Sequence, residues 1–226
     1  LVNTGTAPIF SKNRLLTTVA WKFGNKTFYG IEGSAFVTGA AVQWLRDGLE
    51  LFDESAQVET LANSVTDSDG VVFVPALSGM GAPHWLPTAT GLLTGMSRRT
   101  TKAHIARATL EGVAFQVREL LEAIEKDFGK KIKFCKVDGG GAANDLMMQF
   151  QSDLLGCQII RSRVLETTAL GAGLQAGLNI GVWKDLEEVQ KLWKADKTYS
   201  PQMASKKRKA EVLRWEKAIK AVKLLC

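Results

Sequence analysis

Apolar and polar positions alternate most clearly near the start of the chain. Leu15 to Phe23 and Lys26 to Ile31 are runs rich in β-branched and aromatic residues, parted by Gly24-Asn25. A two-residue turn signal between such runs predicts a hairpin. Glu32-Gly33-Ser34 ends the second strand, and Ser34 is placed to cap a helix. In that helix Val37, Ala40, Ala41, Trp44, Leu45 and Leu49 follow helical spacing. Residues 53–70 are polar and mixed, and Val71 to Pro75 reads as a short buried strand. From Ser78 to Gly95 glycine and proline are dense, which predicts an irregular loop serving either function or packing.

Thr100 or Thr101 can cap a long helix running to about Asp127, with Leu110, Val113, Ala114, Val117, Leu121 and Ile124 along one face. Lys131 to Val137 is a predicted strand, followed by a glycine turn and a helix ending near Gly156. Cys157 to Ile160 is another strand. Thr167-Thr168 precedes a helix of small residues, Ala169 to Gly177, and residues 185–194 form a further amphipathic helix. Tyr199-Ser200-Pro201 breaks the chain before a terminal helix striped by Val212, Trp215, Ile219 and Val222. Helices interleaved with strands in this order predict an α/β protein with a mixed sheet flanked by helices.

Composition narrows the class. At 46% hydrophobic and 23% charged, the 226 residues fit a globular protein with a sizeable core. No apolar run is long enough to predict a membrane span. The opening Leu1-Val2-Asn3-Thr4-Gly5 has neither the charge nor the apolar stretch of a signal peptide, and it leads straight into a turn, so a piece of a longer protein is expected. Cys135, Cys157 and Cys226 lack CxxC spacing, and His84 and His104 are the two histidines. That set argues against a disulfide scaffold or a zinc site; it fits core cysteines in a reducing cytoplasm. The net charge of +6 is concentrated between Ser205 and Lys223. Those lysines are expected to be the solvated face of the terminal helix rather than a nucleic-acid patch.

Three segments carry candidate chemistry. The strand to Val137 runs into Asp138-Gly139-Gly140-Gly141-Ala142-Ala143-Asn144, and a helix begins. Glycines let a ligand approach the backbone, and the first turn of a helix offers unpaired N–H groups suited to phosphate. The segment is neither the dinucleotide fingerprint, since position 144 is Asn, nor a P-loop, since Lys and Ser/Thr do not follow the glycines. A turn required only by tight packing is the alternative. Gly39 and Gln43, one helical turn apart, could lay a flat group against the backbone and hydrogen-bond its edge, or Gly39 could serve helix packing. Thr167 to Gly173 is a helix start of small residues, suited to close approach by another helix or to a ligand.

Gly91-x-Leu93-x-Gly95-Met96, His104-Ile105 and Ala108-Thr109-Leu110-Glu111 resemble, at every defined position, the second signature of the FGGY family of carbohydrate kinases. In that pattern the place of His104 accepts several polar residues, which makes it a helix-start position. Leu15-Leu16-Thr17-Thr18, Glu32 to Phe36, Gln43 to Asp47, Gly81-Ala82-Pro83, Gln149 to Asp153 and Thr168 to Ala172 resemble the glycerol kinase branch. The resemblance runs from Asn3 to about Trp215.

It implies the actin- and hexokinase-like, ribonuclease H-like ATPase fold, with two domains about a cleft. This chain would be the C-terminal, nucleotide-binding domain over residues 1–226. It implies ATP or ADP with Mg²⁺ at Gly39, Gln43, Gly139, Gly140, Gly141 and Asn144, and transfer of the γ-phosphate to glycerol. It further implies an N-terminal partner domain and a homo-oligomer, dimer or tetramer, at full length. The family's catalytic aspartate, alcohol-contacting residues and first phosphate loop precede the equivalent of Leu1, so no catalytic residue or metal ligand is carried onto this chain and the chain alone is expected to be inert. Another sugar or polyol substrate, or a non-catalytic kinase-like scaffold, are the alternatives. Leu86 and Thr90 stand where the family has Asp and Arg, and His84 where it has Tyr.

Overall fold

The computed structural model describes residues 1–226. The predicted hairpin forms: strands β2 (Leu16–Phe23) and β3 (Lys26–Glu32) pair antiparallel, with Phe23 opposite Lys26. Gly24 takes φ +55°, the left-handed geometry that its turn requires. A strand that sequence patterning left as a turn, β1 (Val2–Gly5), adds to the other edge of β3. Helix α1 spans Gly39–Asp47, later than the predicted start. Ser34 does not cap it: the Ser34 carbonyl accepts Ala82 N at 3.1 Å, and that close pairing keeps residue 34 in the loop contact.

Within the polar stretch 53–70 lies a helix, α2 (Gln57–Asn63), with Val58 and Ala62 buried. β4 (Val72–Val74) is fully buried and pairs antiparallel with β5 (Leu92–Thr94), which emerges from the end of the glycine-rich loop. The loop itself is packed rather than open. Gly81 leaves no room for a Cβ, which would lie 2.2 Å from the Ser34 carbonyl oxygen. Trp85 Nε1 donates to Arg14 O at 2.7 Å, and His84 Nε2 shares a hydrogen bond with Glu119 Oε1 at 3.1 Å. Leu86 packs against the core, whereas Thr90 is exposed.

Helix α3 (Lys102–Phe128) is the spine, roughly 40 Å long. Thr101 caps it in a reciprocal box with His104, whose Nδ1 accepts Thr101 N at 3.1 Å. Gly129 ends it in a left-handed conformation. Helices α1, α2 and α4 (Asp145–Leu155) and strand β4 pack on it. Gly112 permits the tightest of these contacts, since a Cβ there would lie 2.3 Å from Phe73 O.

β6 (Phe134–Val137), α4 and β7 (Gln158–Ser162) form a parallel crossover unit. Strand β8 (Ala195–Tyr199), unseen in the sequence pattern, pairs antiparallel with β7. The expected mixed sheet is β6-β7-β8, and two further sheets, ordered β1-β3-β2 and β4-β5, are antiparallel. α5 (Thr167–Asn179) and α6 (Leu186–Leu192) lie between β7 and β8 in the chain. Terminal helix α7 (Ser205–Leu225) buries Trp215, Ala218, Ile219 and Val222, and its lysines are exposed. The three cysteines are free, and burial pushes the Cys157 thiol up to about 11 and the Cys135 thiol upward too. No helix is long and apolar enough to cross a membrane.

Candidate functional site

The glycine turn is the best-defined element of the site. Gly139 takes φ +80°, a backbone geometry that L side chains rarely adopt. Its N–H donates to Leu165 O at 2.8 Å, which ties the turn to the start of α5. Gly140–Ala143 then forms a single 3-10 turn leading into α4. No protein group accepts the N–H of Gly140 or Gly141, and both residues are exposed. A Cβ placed on Gly139 or Gly140 would meet no heavy atom within 4 Å. Tight packing against the rest of the chain therefore does not explain these glycines.

The N-terminus of α4 behaves differently from expectation. Its first-turn amides are occupied: Leu146 N donates to Glu59 Oε1 at 2.9 Å, and Met147 N donates to Asn144 Oδ1 at 2.8 Å. The carboxylate that fills the helix end comes from α2, the helix that sequence patterning did not show. Free donors for an anion thus lie in the preceding turn. Asn144 is the helix cap, which leaves its Nδ2 available to a ligand.

α1 packs into the same apolar cluster as the turn and α4. Val42 and Leu45 belong to one apolar cluster with Ala142 of the turn and Met147 of α4. Gly39 opens α1, and a Cβ there would also meet nothing within 4 Å. Gln43, one turn on, is exposed and makes no hydrogen bond to the protein. Gly171 and Gly173 of α5 face open space as well. By contrast Gly33, Gly81 and Gly177, like Gly112, would each place a Cβ within 2.6 Å of a neighbouring atom, so packing requires glycine there.

Behind the turn lies a charged network that sequence reasoning did not identify. Arg161 on β7 donates from Nη1 to Ala142 O at 3.1 Å, Ala143 O at 3.2 Å and Asp145 Oδ1 at 2.7 Å. Its Nε donates to Asp196 Oδ2 at 2.7 Å. Asp145 also accepts from Lys197 Nζ at 2.5 Å and Tyr199 Oη at 2.6 Å. The Lys197 and Tyr199 hydrogen bonds hold the Asp145 carboxyl far below the usual carboxylate range, and burial beside Asp145 raises Tyr199. No composition or spacing signal marks Arg161, since the residues it joins are distant in sequence.

Gly39, Gln43, Gly140 and Gly141 are exposed, and Gly139 and Asn144 are half-buried. Two cavities of about 930 and 350 Å³ are lined by other residues, between α3 and α7 and beside Glu111. The exposed amides, unobstructed glycines and unpaired Gln43 amide fit a flat polar ligand with an anionic tail. No group of three or more His, Cys, Asp or Glu side chains is arranged to hold a metal ion.

Residues 1–180 match the model of the C-terminal domain of the FGGY family of carbohydrate kinases. A glycerol kinase of Bdellovibrio bacteriovorus is 54% identical over 223 residues, covering 98% of this chain and 45% of that protein. One from Myxococcus xanthus is 51% identical over 221 residues, covering 97% of this chain and 45% of that protein. Among solved structures, Plasmodium falciparum glycerol kinase with ADP superposes with a TM-score of 0.89 at 36% identity, covering 98% of this chain and 44% of that one. The chain spans about half the length of the curated relatives it matches.

Proposed function

The chain belongs to the FGGY family of carbohydrate kinases, and on that premise we propose that it is the nucleotide-binding domain of a glycerol kinase. The whole protein would transfer the γ-phosphate of ATP to glycerol, giving sn-glycerol 3-phosphate. One observation carries the nucleotide site: Gly39, Gly139 and Gly140 leave open space where any other residue would project, beside the unpaired amides of Gly140 and Gly141. The ADP named with the Plasmodium relative supports the same ligand class.

ATP supplies the transferable phosphoryl group, and the residues of this chain bind and orient it. The Gly140 and Gly141 amides donate to phosphate oxygens, while Gln43 and the Asn144 Nδ2 bond polar edges of the nucleoside. Gly39 allows the base or sugar to lie against α1. Mg²⁺ would enter with the nucleotide phosphates, its protein ligands lying in another domain. Catalysis needs that other domain for its base and its alcohol site.

The small-residue face of α5 supports such a partner domain. Ala169, Gly171, Ala172, Gly173 and Ala176 are all exposed, α6 is the chief element packed on this helix, and Ile180 is 80% exposed. Exposed Val19, Trp21 and Phe23 on edge strand β2 fit assembly into a homo-oligomer. Three free thiols fit a reducing cytoplasm.

Calorimetric titration of ADP with Mg²⁺ into the chain should show saturable binding. Gln43→Ala should weaken it at unchanged Tm, because Gln43 has no protein partner to lose. A wild-type chain that gives no saturable heat at millimolar ADP sinks the nucleotide reading. The chain alone should phosphorylate no glycerol. Joined behind the N-terminal part of the Bdellovibrio relative, it should do so with ATP. A folded, ADP-binding chimera that phosphorylates a different polyol would overturn the choice of glycerol.

A further inference from the structure

The Arg161 guanidinium is mostly buried, its side chain 13% exposed, and it meets the glycine turn at one end only. In a helical turn the carbonyls point toward the C-terminal end and the amides toward the N-terminal end. Nη1 grips Ala142 O and Ala143 O, the last carbonyls of the turn, while the unpaired amides belong to Gly140 and Gly141 at its start. A cation at the carbonyl end also suits the dipole of the turn.

The same side chain solves an electrostatic problem. Asp145 opens α4 immediately after the turn, and its carboxylate would repel an incoming phosphate. Arg161 and Lys197 together with Asp145 and Asp196 make a cluster of zero net charge, which removes that repulsion. Its anchors lie on β7, β8 and α4, so the turn is held by a rigid frame and not by its own flexible backbone.

We propose that Arg161 is a positioning residue of the nucleotide site, gripping the carbonyl end of the Gly140–Ala143 turn so that the Gly140 and Gly141 amides face the nucleotide phosphates. The inference rests on the nucleotide-site reading above. It assigns Arg161 to the phosphate end of the ligand and leaves the nucleoside end to Gly39 and Gln43.

The test compares ADP with adenosine, which lacks the phosphates, in wild type, Arg161→Lys and Asp196→Asn. Lysine keeps the charge but has a single nitrogen, which cannot meet Asp196 and the turn carbonyls together as Nε and Nη1 of the planar fork do. Arg161→Lys should lower ADP affinity about ten-fold, the loss of a charge-assisted hydrogen bond, and leave adenosine affinity unchanged. Asp196→Asn frees only the β8 side of the guanidinium and should cause a smaller loss in the same direction; it decides the matter if Arg161→Lys does not fold. Unchanged ADP affinity in a folded variant overturns the inference, and so does an equal loss for ADP and adenosine, which signals general loosening. A wild type that binds neither removes the nucleotide-site reading itself and this inference with it.

Discussion

A Gly140→Val variant is expected to lose ADP affinity by about ten-fold or more, the worth of one hydrogen bond to a charged group, while melting at the wild-type temperature. Gly140 is exposed, its φ lies outside the left-handed region, and a Cβ there meets no heavy atom within 4 Å. An exposed substitution of this kind changes stability by no more than about 0.5 kcal/mol. A phosphate bonded to the Gly140 and Gly141 amides must approach the backbone to about 2.9 Å, and branched side-chain atoms would occupy that path. Gly112→Ala should show the reverse. Its Cβ would sit 2.3 Å from Phe73 O, a backbone atom that cannot swing aside, so α3 must shift off β4. Tm should fall, and the molecules that remain folded should bind ADP as before. Thermal melts beside ADP titrations separate the two. A Gly140→Val protein with wild-type affinity would show that the open turn is not where nucleotide binds.

Trp215→Ala should destabilise the protein by about 3–5 kcal/mol, a large part of an ordinary domain's stability. Trp215 is fully buried and stacks on Phe115 at 4.9 Å with 8° between the rings, in the cluster that joins α7 to β4, α3 and α4. Truncation would leave a void bounded by a close-packed sheet and two helices, which cannot collapse to fill it. Trp215→Phe should cost far less. It keeps an aromatic ring beside Phe115 and removes the indole Nε1, a buried donor with no acceptor. Urea unfolding of the two variants measures the difference; equal losses would mean that the stacked ring is not what anchors α7.

Local features were legible because their causes are local. The Gly24-Asn25 hairpin, the Thr101 cap, the end of α4 near Gly156 and the Trp215 stripe each depend on residues within a turn or two of one another. The glycine turn before Asn144 was visible for the same reason. Strands β1, β5 and β8 were not. They are short, and Ala195–Tyr199 has four exposed residues and one buried, so β8 exists by pairing with β7 and not by its own pattern. Helix α2 likewise depends on docking against α3. The Glu59 carboxylate that fills the start of α4 comes from 87 residues away, and Tyr199 reaches Asp145 across 54. Sequence by itself determined which segments turn, coil into helices and carry glycine beside candidate donors. Only the tertiary structure decided what each glycine is for. Gly33, Gly81 and Gly112 lie against other parts of the chain, whereas Gly39, Gly139 and Gly140 face open space, because whether a missing Cβ is filled by protein or left to a ligand depends on segments that meet only when the chain folds.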